Sequence, residues 1–405
     1  PLDWYDWGVD PKHPWGRCLV AETRISTEAG LVPIVEALHH KETESGRILD
    51  LVSQGQQPVV ELVTERGYRV VGTAHHRVKL ADCDGWVTIG AALGSTVQLI
   101  PPRFAERAYV CTWRDVPCTT TTMEITPLWG RFLGYFMGDG SYYGCGGGTA
   151  PVSVSSIEVG CFAPDVDVVQ DVAQTLKALF GRMASIKIIC DPRYGGATRG
   201  ARVRVRGQAL FGPLLACHAI AQKPNGRWQR RIGVPDVIWR SPKFVVREFL
   251  RGLFETDGSA DQTGDVSFAA KDEQMLRDVQ LLLLGFGITS RIVHSTTRRN
   301  GKSWTCSKLI LTRLESAQFR NEIGFIGARK QERNAWARVR RVRSCKSIEF
   351  SDQVASVRPK GDAETYDLTL PPPHVFSANG VGVHNSEPDR LRHIQLPFNQ
   401  LMDGL

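Results

Sequence analysis

Two sets of residues that make chemical sense only together stand at opposite ends of this chain, Cys18 near the start and His384-Asn385-Ser386 near the finish. An asparagine side-chain nitrogen can attack its own main-chain carbonyl and break the backbone, provided that an acid such as His384 activates that carbonyl. Ser386 supplies a hydroxyl just beyond the break. Cys18 supplies a thiol whose sulfur can take over the acyl group of Arg17, turning an amide into a more reactive thioester. Acting together, these groups can excise residues 18–385 and join what flanks them, so the fold has to bring both ends to one place.

Taken singly, each of these residues is ordinary. Asn-Ser is a common turn pair, and an unoxidised cysteine usually serves as a small buried hydrophobe. Two further groups change this: Thr73-Ala74-His75-His76 after the cysteine, and Tyr366-Asp367-Leu368-Thr369 with His374-Val375-Phe376 before the asparagine. With them the sequence resembles an intein, a self-splicing protein element. Cys18-Leu19-Val20 through Thr23, Ile25 and Thr27-Glu28-Ala29-Gly30 is similar to that family's opening block, and Val381 to Asn385 to its closing one.

At 405 residues the chain exceeds the roughly 250–300 at which single cores stop growing, so two or more domains are expected. No apolar run is long enough to span a membrane and the start lacks a signal-peptide pattern, which leads to the expectation of a soluble, cytoplasmic protein. Its 10 cysteines show no CxxC spacing and are read as reduced, with Cys18 the exception in function. The 50 Lys and Arg against 42 Asp and Glu give a net charge of +8, which favours a polyanionic partner.

From Cys18 to about Pro117, apolar stretches such as Pro58–Val63 and Tyr68–Val71 alternate with Gly and Asp turns, a β-rich pattern. Helical periodicity begins at Leu128–Met137, helices and strands then alternate to about Val342, and strand character returns at Phe350–Val357 and Thr365–Leu370. The reading is a discontinuous β domain, 18–124 and 341–385, interrupted by an α+β domain at 125–340. Residues 1–17 and 386–405 are the flanking segments.

The insert contains two similar segments, Phe132-Leu133-Gly134-Tyr135-Phe136-Met137-Gly138-Asp139-Gly140 and Leu250-Arg251-Gly252-Leu253-Phe254-Glu255-Thr256-Asp257-Gly258. Each places small residues four apart, Gly134/Gly138 and Gly252/Thr256, so that two helices can pack closely along one face. Close packing brings Asp139 and Asp257 side by side. There two carboxylates repel unless a divalent cation lies between them, an arrangement suited to phosphodiester hydrolysis. One such segment alone would be an amphipathic helix with an ordinary Asp-Gly end; the second copy favours the metal reading.

The doublet resembles the LAGLIDADG homing endonucleases over Leu128 to Ala337, including the helix-to-strand junction Gly285-Phe286-Gly287-Ile288-Thr289-Ser290-Arg291-Ile292. The resemblance implies an αββαββα half after each motif, two-fold pseudosymmetry, Mg²⁺ held by Asp139 and Asp257, and double-stranded DNA, the intein-free host allele, as substrate of a monomer. Alternation puts Arg202, Arg204 and Arg206 on one face of a strand, suited to phosphates or guanine edges or else to water. Met137 stands where the family often has an acid. Lys330 stands where the second half should carry a basic residue, and the first half offers Lys223 or Arg231 near Ile232-Gly233-Val234-Pro235, a stretched form of the family's Lys-x-Ile-Pro.

For the β domain the resemblance implies an all-β, horseshoe-like hedgehog/intein splicing fold acting on its exteins in cis without cofactor. His76, with Thr73, would hold and protonate the Arg17–Cys18 amide; Asp367 matches the acid that tunes the cysteine. Ser386 would take the acyl group, and His374 with His384 would promote cyclisation of Asn385. The second threonine-histidine block lacks the family's usual proline and has adjacent histidines, of which His76 has the Thr-x-x-His spacing and His75 is expected to be exposed. Three alternatives stand beside this reading: a hedgehog-type autoprocessing domain, which needs no terminal His-Asn-Ser; a splicing element whose nuclease only binds DNA; and a conventional enzyme with an ornamental insert.

Overall fold

In the computed structural model the described residues are 18–115, 119–145, 153–190, 199–207, 210–226, 228–299, 302–335 and 348–385. Arg17 and Ser386, with the flanking segments they belong to, lie outside them. Contacts divide the chain into two units, one made of the residues up to Phe104 and from Glu349 onward, the other spanning Ala105–Ile348. The discontinuous arrangement is therefore present, but the first division falls after Phe104 rather than at 124/125. The reason is local pairing. Val110–Asp115 forms a hairpin with Thr119–Glu124, and Cys111 on it shares a thiol hydrogen bond with Cys217 of the second unit.

In the first unit, Leu19–Val20 pairs antiparallel with both Arg69–Thr73 and Ser351–Thr369, and Asp50–Thr64 pairs with the same two strands. Hydrogen bonding thus runs round four strands and returns to its start. The β-branched and apolar residues on these strands make the interior: Val59, Leu62, Val70, Leu19 and Leu368 are all buried. Register shifts at Val354/Ser356, Pro359/Gly361 and Thr365/Tyr366 bend the long pair Asp50–Thr64 and Ser351–Thr369, and Pro359, which cannot donate to a ladder, sits at one of them. A second sheet runs Val375–Ala378, Val381–His384, Arg77–Lys79, Trp86–Thr88. Its closing hairpin turns at Asn379-Gly380, whose φ values of 50° and 86° are the left-handed pair that a two-residue turn requires.

In the second unit, the motif helices span Pro127–Asp139 and Lys243–Asp257. Thr126 caps the first, its hydroxyl accepting from Trp129 N, and Pro127 fits the first helical turn. After each motif helix comes the same succession of two strands, a helix, and two strands. Glycine at 140 and at 258 begins the first strand in each case. Both four-stranded sheets have the same order, with the second and fourth strands at the centre: Gly140–Cys145, Ser153–Phe162, Arg199–Arg206, Ser185–Cys190 in one, and Gly258–Ala260, Val266–Ala270, Lys302–Leu311, Arg291–Arg299 in the other. Aromatic clusters fill the space under each sheet, Trp129, Phe132 and Phe180 in the first and Phe254, Phe268, Phe319 and Phe325 in the second. Among the described residues, no helix is long and apolar enough to cross a membrane.

Candidate functional sites

Cys18 is 1% exposed and held from both sides by neighbouring strands. Its N–H donates to Thr73 Oγ1 at 3.1 Å, and Thr73 N–H donates to the Cys18 carbonyl at 3.0 Å. On the other side Leu19 pairs with Tyr366 and Val20 with Thr365, so the antiparallel register carried one step back puts Cys18 across from half-buried Asp367. The block Thr73–His76 is a turn closed by His76 N–H to the Thr73 carbonyl at 3.0 Å, which buries His76 and leaves His75 exposed. Gly72 makes this approach possible: a Cβ there would lie 2.6 Å from the Cys18 carbonyl oxygen. Sequence reasoning passed over Gly72, although its place beside the threonine block was visible.

At the other end, Asn385 is 2% exposed, its side-chain Nδ2 donating to the Leu370 carbonyl at 2.9 Å and its main-chain N–H to the His374 carbonyl at 3.2 Å. His384 Nδ1 hydrogen-bonds the Asn385 main-chain oxygen, which belongs to the bond that asparagine cyclisation would break. His374, at φ 59°, stacks on His384 with ring centroids 5.8 Å apart, and its own Nδ1 is 3.1 Å from the Leu370 carbonyl. The hairpin carrying these groups is tied down by Asn379, whose Oδ1 accepts from Arg24 N at 2.8 Å and whose Nδ2 donates to Arg69 O at 3.3 Å. A proton donor on the carbonyl oxygen and an ordered amide nitrogen are what succinimide formation needs.

In the second unit the motif helices touch backbone to backbone. A Cβ at Gly134 would lie 2.1 Å from Phe249 O, one at Gly252 2.4 Å from Arg131 O, and one at Gly138 1.9 Å from Thr256 Oγ1. Their ends bring Asp139 and Asp257 within electrostatic reach of each other. Asp257 is pushed from 3.8 up to about 6, by burial first and by the charge of Asp139 second, against the pull of Arg230 and Lys330. Partial desolvation likewise raises Asp139, with the same two cations opposing. Two carboxylates that raise one another's proton affinity fit a dication between them. Among the described residues no cluster of three or more His, Cys, Asp or Glu gathers around a point, so the protein's share of such a site is these two acids.

Each helix end is capped by one cation. Lys330 Nζ donates to the carbonyls of Phe254 at 3.2 Å and Gly258 at 2.8 Å, and to Glu255 O. Arg230 does the same at the first helix, donating to Phe136 O and Met137 O at 3.0 Å each and to Gly138 O. This corrects the expectation of Lys223 or Arg231 for the first half. Lys223 is exposed in the turn of the hairpin Ile220–Gln222/Trp228–Arg230, and Arg231 pairs with Asp236 at 3.1 Å. The missed signal is the basic-x-Ile spacing of Arg230-Arg231-Ile232.

Arg202, Arg204 and Arg206 do share one face of Arg199–Arg206, with Ala201, Val203 and Val205 buried beneath. Their charge is partly spent within the sheet. Glu158 pairs with Arg202 at 3.2 Å and accepts from Arg204 Nε at 2.7 Å, and the Arg204 guanidinium lies 4.7 Å from the Tyr143 ring centre. Arg206 is exposed.

The second motif half matches the LAGLIDADG-like domain over residues 244–324. The chain is 27% identical over 301 residues to a DNA gyrase of Mycobacterium kansasii, covering 70% of this chain and 46% of that protein. It is 23% identical over 469 residues to the replicative DNA helicase DnaB of Rhodothermus marinus, covering 91% and 46%. It thus spans about half the length of the curated relatives it matches. Among solved structures it is similar to a G-1F mutant of the Ssp DnaB mini-intein variant M86, with TM-score 0.27 and 10% identity over 91% of this chain and 98% of that one. The motif helices and their capped acids define an insert of the LAGLIDADG type. The chain that carries it, with its cysteine and its His-Asn end each seated on the β unit, belongs to the inteins.

Proposed function

We propose that this chain removes residues 18–385 from its precursor and joins Arg17 to Ser386. The hydrogen bond from His384 Nδ1 to the Asn385 carbonyl, with Asn385 Nδ2 ordered on Leu370, carries the reading. Cys18 attacks the Arg17 carbonyl while Thr73 and His76 hold the amide; the Arg17 acyl group moves from sulfur to the Ser386 hydroxyl; Asn385 Nδ2 then closes on its own carbonyl, and the released ester reverts to an amide. Asp367 across from Cys18 is suited to tuning the thiol, and His374 to supporting His384. Each step exchanges one acyl bond for another, so splicing uses no cofactor, and a horseshoe-like β fold keeps both junctions together. Mass spectrometry of freshly expressed protein tests this: ligated flanks plus the excised piece are expected, and a full-length chain that persists for days with added thiol overturns it.

The inserted unit, a two-fold pseudosymmetric monomer in this proposal, cuts double-stranded DNA at the intein-free allele of the host gene. Asp139 and Asp257 would hold Mg²⁺, which supplies an activated water and stabilises the leaving oxygen. Arg202, Arg204 and Arg206 would meet the DNA, Arg206 most directly, and the exteins act in cis wherever the host protein resides. DNA bound with steep salt dependence but never cut in Mg²⁺ or Mn²⁺ would reduce the insert to a binding domain.

A further inference from the structure

His384 lies on one face of the second sheet of the β unit, and what shares that face is not polar. Val383 pairs with Val78, and Val78 with Val87, so these three valines fill the opposite face. The same register aligns Gly382, Lys79 and Trp86 in one row on the His384 side. Glycine at 382 leaves that row open: a Cβ there would already lie 3.3 Å from Lys79 Cβ. Across the gap the Trp86 indole reaches His384, with ring centroids 4.7 Å apart and planes at 74°. Lys79 holds the indole in turn, its Nζ 5.0 Å from the ring centre and ion-paired with Asp84. His374 stacks on His384 at an interplanar angle of 18°. The imidazole is thus held between two rings, one edge-on and one parallel, with Nδ1 aimed at the Asn385 carbonyl oxygen.

We propose that Trp86, pinned by Lys79, is a positioning residue for His384 in asparagine cyclisation, keeping the imidazole in the one orientation that presents Nδ1 to the scissile carbonyl. The proposal rests on the splicing reading. In the step concerned, Asn385 Nδ2 forms a bond to its own carbonyl carbon, the bond from that carbon to the Ser386 nitrogen breaks, and the leaving amine gains a proton as Nδ2 loses one. A histidine free to rotate about its side-chain bonds would spend most of its time misaligned. Edge-to-face contact between rings contributes enough to slow the step about tenfold when lost.

The test uses the full chain with Cys18→Ala, which isolates cleavage after Asn385, measured from pH 5 to 9. Trp86→Ala should slow that cleavage at least tenfold and move its pH profile, Lys79→Met should slow it about two- to fivefold, and Trp86→Phe should stay within threefold. In an Asn385→Ala background, thiol-induced release of residues 1–17 should change less than twofold in all three. A Trp86→Ala chain that keeps its C-terminal rate, or loses both cleavages equally, overturns the proposal. If the unsubstituted chain cleaves nowhere, the splicing reading itself fails. The ¹⁵N resonances of the His384 ring still decide positioning: a tautomer balance that Trp86→Ala changes and Trp86→Phe preserves supports it, and one unaltered by either sinks it.

Discussion

Cys18 and Thr73 hold each other by two hydrogen bonds running in opposite directions, Cys18 N to Thr73 Oγ1 at 3.1 Å and Thr73 N to Cys18 O at 3.0 Å. The first of them engages the nitrogen that a thioester-forming attack must release. Thr73→Val keeps the shape and removes that acceptor. It should slow thiol-induced cleavage ahead of Cys18 by about tenfold or more and leave cleavage after Asn385 nearly unchanged, as read from the masses of the released pieces.

At the far junction, Asn385→Ala removes the nucleophile and should abolish cleavage there while N-terminal cleavage continues. His384→Ala, which removes the donor to the Asn385 carbonyl, should slow it by roughly 10²–10⁴-fold. A His384→Ala chain that cleaves after Asn385 at the parental rate would assign the acid to another group.

Gly134 faces Phe249 O at the tightest point of the helix pair. Gly134→Ala should cost about 2–4 kcal/mol of stability in the inserted unit, because a Cβ at 2.1 Å forces two backbones apart. Denaturation should show an earlier transition for that unit, with splicing unaffected.

Asp257 sets a pH dependence whose sign follows from its raised pKa. The folded carboxyl, at about 6 against an ordinary 3.8, binds more protons than the unfolded one between those values. Its contribution to metal-free stability is therefore complete below about 4 and is lost as pH rises through about 6, by roughly 1–2 kcal/mol once solvent screening is allowed for. Thermal melts in a chelator should show this loss; Asp257→Asn should flatten it, and a divalent cation should offset it at pH 7. A melt independent of pH between 4 and 7 would contradict the crowding of the two acids. DNA cleavage should fall as pH drops below about 6, where protonation competes with metal.

Arg230 and Lys223 are separated by one comparison. Arg230→Ala removes the cation on the Phe136, Met137 and Gly138 carbonyls and should depress DNA cleavage at least 100-fold, whereas Lys223→Ala, in an exposed turn, should stay within threefold. Equal losses in an Mg²⁺ cleavage assay would return Lys223 to the site.

By itself the sequence determined the reactive atoms and the repeat. Cyclisation needs an asparagine amide beside an acid, and two small-residue stripes ending in Asp-Gly announce a helix pair, so Cys18, His384, Asn385, Asp139 and Asp257 could be read from residue type and spacing alone. Tertiary structure decided which groups surround them. Lys223 and Arg230 are both basic and close in sequence, but the hairpin Ile220–Gln222/Trp228–Arg230 puts one at its turn and the other at its base, against the helix end. Glu158 meets Arg204 only through the pairing of Ser153–Phe162 with Arg199–Arg206, and Trp86 meets His384 only across two further strands. Such contacts depend on register between strands up to some 300 residues apart, and side-chain spacing along one strand carries no record of its neighbour's register.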